Sequence, residues 1–449
     1  MIDIKLIRED SKLVKDNIKK KFQNEKLVLV DKVKELDEDW RKLKYKGDSL
    51  RSERNKVSEE INKAKKSKDE KKAKELIKKA KEIPEKIEKV QKKTKKLSEE
   101  INKIMLQIPN IIHESVPIGK DEKDNVELKK VGKAIVPKYE ILNHAVLAEK
   151  LGGLDLDSSR EISGQGFYYL KGDLALLHSA MLSFARDYMI KQDFEYAIPP
   201  LMIRGEIVDG VMSFDEKDKM MYKIEGENLY LIGTSEHSMI GMFKDKTLKS
   251  KHLPYKLTSY SPCFRKEKGA HGIEEKGLYR LHQFEKQEMI VICEPGDSYK
   301  WYEKMLKFTV DVFKQLKIPI RVLEICSGDL ADLKAKSADV EAWSPRQKKY
   351  FEIGSCSNLT DAQARRLNIR INDGKGNYFA HTLNNTVLAS PRALISFMEN
   401  HEQKDGSIKI PKVLWPYMNG KNTLKVIPLQ GTRTSKEASK IEVKNGKKI

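Results

Sequence analysis

No apolar run in the chain approaches the 18 or so residues that a membrane-spanning helix needs, and the first 30 residues hold neither an apolar core segment nor a small-residue cleavage site. The expectation is a protein of the cytoplasm that neither enters a membrane nor is exported. Cysteine is scarce: Cys263, Cys293, Cys326 and Cys356 lie about 30 residues apart and never form a CxxC pair. That spacing gives neither a disulfide framework nor a zinc pattern, and four small buried apolar side chains are the simplest reading. Negative charge is also short, with 67 Asp and Glu against 87 Lys and Arg, a formal net charge of +20. The excess points to a polyanionic partner, though alone it argues only for non-specific attraction. At 449 residues, two or three domains are expected.

The charge is uneven, and so is the apolar pattern. Val33, Leu36, Trp40, Leu43, Gly47, Leu50, Arg54, Val57, Ile61 and Ala64 step by three and four in strict alternation. Leu76, Ala80, Ile83, Ile87, Val90, Thr94, Leu97, Ile101, Ile104 and Ile108 do the same. A 3.5-residue period sustained this long predicts two coiled-coil helices, and the short polar joint from Lys65 to Glu70 makes them an antiparallel hairpin. Pro84 should kink the second helix. From Ile61 to Leu97 sixteen Lys face six Asp or Glu, so the tip half is the basic half. Such a surface is either plainly solvated or a lever that lays Lys side chains along a phosphate backbone.

Ile108, Pro109 and Asn110 should end the helix, and the Gly-, Pro- and Asp-rich run that follows reads as a linker. Four domain segments result: an arm over 1–110, a linker over 111–130, a globular domain over 131–430 and a polar tail over 431–449. Within the globular part, period-two alternation across Leu278 to Cys293 puts Arg280, His282, Phe284, Lys286 and Glu288 on one strand face. Tyr260 to Glu267 should be its antiparallel partner, bringing Arg265 and Glu267 to the same floor, with the loop from Lys268 to Gly277 between them. Thr234 and Glu236, two apart after Leu229 to Ile232, suit an ammonium or hydroxyl ligand. Phe351 to Ser357 and His381 to Asn400 run a polar strand end into a helix with Arg392 in its first turn, a place that attracts phosphate.

Together these segments resemble the seryl-tRNA synthetases, a family of class II aminoacyl-tRNA synthetases, from Met1 to about Gly420. The residues that carry the resemblance are IPNIIHESVPIG after the arm, GTSEH, FRKEKGAHGIEEKGLYRLHQFEKQE, and HTLNNTVLASPR followed by FMENH. The resemblance is more archaeal than bacterial in look. It implies an α+β fold, with an antiparallel helical arm followed by an antiparallel sheet flanked by helices, working as a homodimer. The helix bearing Leu174, Leu177, Met181, Phe184 and Tyr188, followed by Pro199 and Pro200, matches the segment that forms the dimer interface in that family.

The implied activity is formation of seryl-adenylate from serine and ATP, then transfer of serine to tRNA(Ser), with tRNA(Sec) as a further acceptor, and no DNA partner. By the same resemblance Arg265 binds the α-phosphate, Phe284 stacks on adenine, Arg392 holds the γ-phosphate side and Arg280 assists. Glu267 and Lys266 belong to the nucleotide site, as do Ile353 and Gly354, while Glu352 and Ser355 hold Mg²⁺. Thr234 and Glu236 receive the serine ammonium group and Glu288 and Thr386 take the hydroxyl; Ser235, Arg265 and Asn384 also belong to the serine site. Arg265, Glu288 and Arg392 are the implied catalytic set, and Lys63, Lys65, Lys66, Lys71, Lys72, Lys78 and Lys79 the implied tRNA contacts. His271 falls in the loop near the tRNA acceptor end.

Two departures stand out. Asn384, Asn385, Thr386 and Val387 replace a common Asn-Gly-Ser-Gly, so Asn385 and Val387 could reshape the pocket wall; Gly354 replaces a frequent Ser. Two other functions remain open on sequence: an enzyme that activates an amino acid for a carrier other than tRNA, and a coiled-coil RNA binder on a dead catalytic fold.

Overall fold

The computed structural model describes residues 1–267 and 277–427. The expected loop with His271 and the tail from residue 431 lie outside the described residues. Helices α1 (Ile4–Glu9) and α2 (Ser11–Lys20) precede the two long helices α3 (Leu27–Lys66) and α4 (Glu70–Met105). At 1.5 Å per residue the hairpin reaches about 60 Å. Val33, Gly47, Val57 and Ala64 are buried against Ile83, Ile87, Val90, Ile101 and Ile104, as the alternating steps require. Of the polar members, Arg54 is exposed and Thr94 satisfies its hydroxyl on the carbonyl of Val90. The turn is tight, with Lys68 at φ +57° and the side chain of Asp69 capping α4 at the Lys72 amide.

α4 continues through Pro84, which is exposed while Ile83 and Ile87 stay buried, so the seam runs past it. Two expectations change. The helix ends at Met105, and Ile108 packs beyond it in the cluster at the arm's base with Ile2, Ile7, Val14 and Ile18. The stretch 111–130 is not a free linker. It ends in strand β1 (Val126–Val131), an edge of the main sheet.

That sheet has eight strands. After β1 come β2 (Glu195–Tyr196), β3 (Tyr255–Phe264), β4 (Gln283–Cys293), β5 (Ile320–Glu324), β6 (Lys336–Ser344), β7 (Lys349–Asn358) and β8 (His381–Ser390). Their spatial order is β1-β5-β6-β7-β8-β4-β3-β2, antiparallel throughout except for β2 against β3. Helices α5 (Gly172–Ile190), α7 (Ser298–Gln315) and α9 (Arg392–His401) cover one face, sharing an apolar cluster with Met289 and Val291 of β4. On the other face Ile290 and Ile292 join Ile232 and Ile240 from α6 (Ser235–Gly241) and its approach, and Ala364 and Leu367 of α8 (Ala362–Leu367). A strand buried on both faces reads as a continuous apolar run, which is why MIVIC shows no alternation. Leu174, Leu177, Met181 and Phe184 form the buried face of α5. All four cysteines are free and buried. Among the described residues no helix is long and apolar enough to cross a membrane.

Candidate functional site

The polar end of β4 opens into a cavity of about 630 Å³. β4 starts at Gln283, not at Leu278, because residues 278–282 form a bend; Phe284, Lys286 and Glu288 then share the face toward the cavity. Register places Glu288 beside Thr386 of β8 on one side and Ser259 of β3 on the other. Two bulges aim the neighbouring strands. Val387 is the extra residue of β8 between Thr386 and Leu388, and Ile353 the extra residue of β7 between Glu352 and Gly354. An added residue bends the strand and turns its side chains, so Glu352, Ile353, Gly354 and Ser355 all line the cavity in succession. Gly354 also lets β8 close in, since a Cβ there would lie 3.1 Å from Cβ of Thr386.

At one end of the cavity, carboxylates are crowded in a dry place. Glu236 is half-buried at the start of α6, and loss of water around it, then the neighbouring Glu288, lifts its carboxyl to about 7. It accepts a hydrogen bond from Gln363 at 2.9 Å. Glu288 accepts one from the Thr234 hydroxyl at 2.9 Å and is paired with Lys286. His237 lies alongside; burial and the cations Arg265 and Lys286 push it down to about 3, so its ring is neutral.

Arginines gather at the other end. The Arg265 guanidinium sits 5.2 Å from the centroid of Phe284 and donates to the carbonyl of Gly233 at 3.2 Å. Arg280 pairs with Glu267 at 3.3 Å, and Arg392, first residue of α9, pairs with Glu352 at 3.1 Å and lies over the ring of Tyr279. Three guanidiniums around one hollow, two of them on half-buried or exposed carboxylates that a ligand could displace, make a triphosphate-sized anion site. Beside them, burial and then Glu352 raise the carboxyl of Asp339 on β6 to about 7. The hydroxyl of Ser355 lies within 3.4 Å of the Lys334 ammonium. Two repelling carboxylates and a hydroxyl are hard oxygen donors that suit a divalent cation completed by phosphate oxygens. Among the described residues no cluster of three or more His, Cys, Asp or Glu offers an all-protein metal cage.

Most of the sequence-derived residues therefore converge here: Thr234, Glu236, Arg265, Glu267, Arg280, Phe284, Glu288, Glu352, Ile353, Gly354, Ser355, Asn384, Thr386 and Arg392 all line the cavity. Two do not. Ser235 is wholly buried in the first turn of α6, off the cavity lining. Lys266 turns outward, its ammonium 3.3 Å from the carbonyl of Asp218. His282 is also off the floor, since it precedes the strand and its ring fills the space above Gly166, between Phe167 and the Tyr222 hydroxyl. Asn385 and Val387 leave the pocket wall untouched. Asn385 points through the sheet to α7, donating to the Met305 carbonyl and the Thr309 hydroxyl, and Val387 is core.

Sequence reading missed Asp339 and Lys334 and gave Lys286 no role. An acidic residue between the buried Ala338 and Val340 was the available signal for the first; nothing in the sequence marks Lys334. The seven arm lysines are all exposed, and Lys79 pairs across the hairpin with Glu53.

Residues 1–112 match the family described as seryl-tRNA synthetase N-terminal domain, and residues 221–401 the class II tRNA synthetase core domain (G, H, P, S and T). A serine–tRNA ligase of Methanocella arvoryzae is 42% identical over 423 residues, covering 94% of this chain and 99% of the relative. Among solved structures, the seryl-tRNA synthetase of Pyrococcus horikoshii complexed with ATP is 40% identical with a TM-score of 0.89, covering 95% of this chain and all of that one. The cytoplasmic serine–tRNA ligase of Naegleria fowleri in complex with AMP is 33% identical with a TM-score of 0.84, covering 95% and 99%.

Proposed function

From the membership of this chain in the seryl-tRNA synthetase family, which makes it an ATP-dependent serine–tRNA ligase acting on serine and tRNA(Ser), we infer how its own residues divide the work. Adenylate formation is an in-line attack of the serine carboxylate on the α-phosphorus of ATP. The nucleophile is already ionised, so the site must supply position and positive charge instead of a base. Arg265 holds the α-phosphate, Arg280 and Arg392 the outer phosphates, and Phe284 the adenine face, with Glu267 on the nucleotide. Glu236 and Thr234 take the serine ammonium, which in turn keeps Glu236 ionised. Glu288 and Thr386 take the hydroxyl, with Asn384 beside them.

Glu352 and Ser355, joined by Asp339, would hold Mg²⁺. When bound, that ion offsets charge on the phosphates. Among the described residues none is a clear base for the second step, in which the terminal ribose hydroxyl of tRNA attacks the adenylate carbonyl; a phosphate oxygen of the adenylate takes the proton. The exposed lysines Lys63, Lys65, Lys66, Lys71, Lys72, Lys78 and Lys79 lie along the backbone of tRNA. The arm spans 1–110 and the catalytic domain begins with β1. The protein works in the cytoplasm as a homodimer, joined beside α5 where Pro199 and Pro200 are flanked by Ile198, 84% exposed, and by the exposed Leu201 and Met202.

The observation that carries this reading is a pair of carboxylates, the half-buried Glu236 and the buried Glu288, with threonine hydroxyls at one end of a cavity whose other end holds three arginines. A carrier other than tRNA would leave the basic arm without use, and a dead fold would not keep this set. Serine-dependent exchange of pyrophosphate into ATP, followed by serine transfer to tRNA(Ser), tests all three readings. Exchange without transfer would favour the other carrier, and no exchange the dead fold; a tRNA(Sec) transcript in the same assay tests the further acceptor.

A further inference from the structure

The connection from β5 to β6 faces two domains at once. Its inner side, Ala331, Leu333 and Lys334, lines the catalytic cavity, with Lys334 beside Ser355. Its outer side is held by the base of the arm. The buried Lys21 ammonium donates to the carbonyl of Leu330, the Asn110 amide to that of Asp332 at 2.7 Å, the Asn110 side chain to that of Leu333 at 3.0 Å, and the His113 amide to that of Ala335 at 2.9 Å. The side chain of Asp332 is clasped by Lys26 at 2.5 Å and by Gln23 at 2.8 Å. Four of six consecutive backbone carbonyls thus find their donors in the arm's base and, at His113, just beyond it, and buried carbonyls without donors are costly.

We propose that the arm's base sets the position of Lys334 in the catalytic cavity, so that Lys26, Asn110 and Asp332 are positioning residues for serine activation. The inference rests on the reading that the end of the cavity with Ser355, Glu352 and Arg392 takes the nucleotide phosphates. There Lys334 is a fourth cation, and its distance from the polyphosphate is fixed from outside the catalytic domain. Small misplacements of a positioned charge cost up to about 100-fold in rate. The tip of the arm makes none of these contacts, so tip and base carry separate duties.

Pyrophosphate exchange, which needs no tRNA, is the assay. Asp332→Asn should lower it about tenfold although Asp332 does not line the cavity. The charge swap Lys26→Asp with Asp332→Lys should recover it to within about threefold, since the unpaired Gln23 carbonyl oxygen is available to the new lysine. In a Lys334→Met background, Asp332→Asn should cost nothing further. Wild-type exchange in Asp332→Asn, a swap that restores nothing, or losses that multiply with Lys334→Met would each overturn the proposal. Glu352→Ala is the control for the underlying reading and should lose about 100-fold. If that control keeps normal exchange, the phosphate assignment is what fails.

Discussion

Glu236 is an acid kept in a place that does not suit its charge. Its carboxyl, ordinarily near 4.5, sits at about 7 in the folded chain, so between those values the folded state keeps a proton that the unfolded state has lost. Stability therefore falls as pH rises from about 4.5 to 7, by about 3 kcal/mol for a group displaced that far, and the cost persists above pH 7. Glu236→Gln keeps the acceptor for Gln363 and removes the charge. Thermal unfolding at pH 8 should show the variant more stable by several degrees, with the difference gone near pH 4.5. The same change should raise the KM for serine, and the fall in wild-type KM between pH 6 and 8 should vanish; a pH-independent gap in stability would contradict this. Glu288 and Thr386 set the second expectation. Alanine leaves both hydroxyl partners unpaired and should be rejected about 10⁴-fold or more, whereas threonine, excluded by one methyl, should be rejected about 10- to 200-fold. Activation assays with both amino acids decide it, and equal rejection would count against the assignment. Individual residues were legible where charge broke a strand pattern, as in Phe284, Lys286 and Glu288. They were illegible where a distant segment set the direction, as with Lys334, brought beside Ser355 by a connection that carries no strand pattern.

Among the elements, the two long helices were the most readable, because a period of 3.5 held over many turns has no other solution. Their ends were not: α4 stops at Met105 because Ile108 is drawn into the base cluster with Ile2 and Ile18. β1 escaped notice because VELKKV is short, half charged and exposed along nearly its whole length, as an edge strand can be, so its sequence resembles a linker. Replacing Leu50 to Ile87 with a short turn removes the basic tip and spares the base, leaving Gly47 opposite Val90 and Ile101 in the base cluster. Exchange of pyrophosphate should stay within a few-fold of wild type, while charging at low tRNA concentration should fall by orders of magnitude. Wild-type tRNA affinity should weaken about 10³-fold between 50 and 200 mM salt if about six phosphates are neutralised. An unchanged KM for tRNA in the truncated protein would make the lysine-rich hairpin a solvated surface and nothing more.

At the scale of the whole molecule, the order of the sheet was beyond sequence reading, because β1, β5 and β6 are distant in the chain from β3 and β4 and only packing joins them through β7 and β8. The two-sided burial of that sheet has a practical consequence through its sulfur atoms. Cys263, Cys293, Cys326 and Cys356 are at most 1% exposed, and no cysteine precedes residue 263. Burial raises the thiols of Cys263, Cys293 and Cys356, Cys293 to about 12, so in the closed state they lack both access and thiolate. A maleimide or an aromatic disulfide reagent can reach them only when the catalytic half opens. Labelling rate then becomes a clock for that opening, blind to fraying of the helices at the other end of the protein. Saturating ATP and serine should slow the clock by the factor with which they favour the closed form, and the tip truncation should leave it running at the same rate. Fast labelling of any of the four in the native protein would show that the sheet breathes locally at that strand.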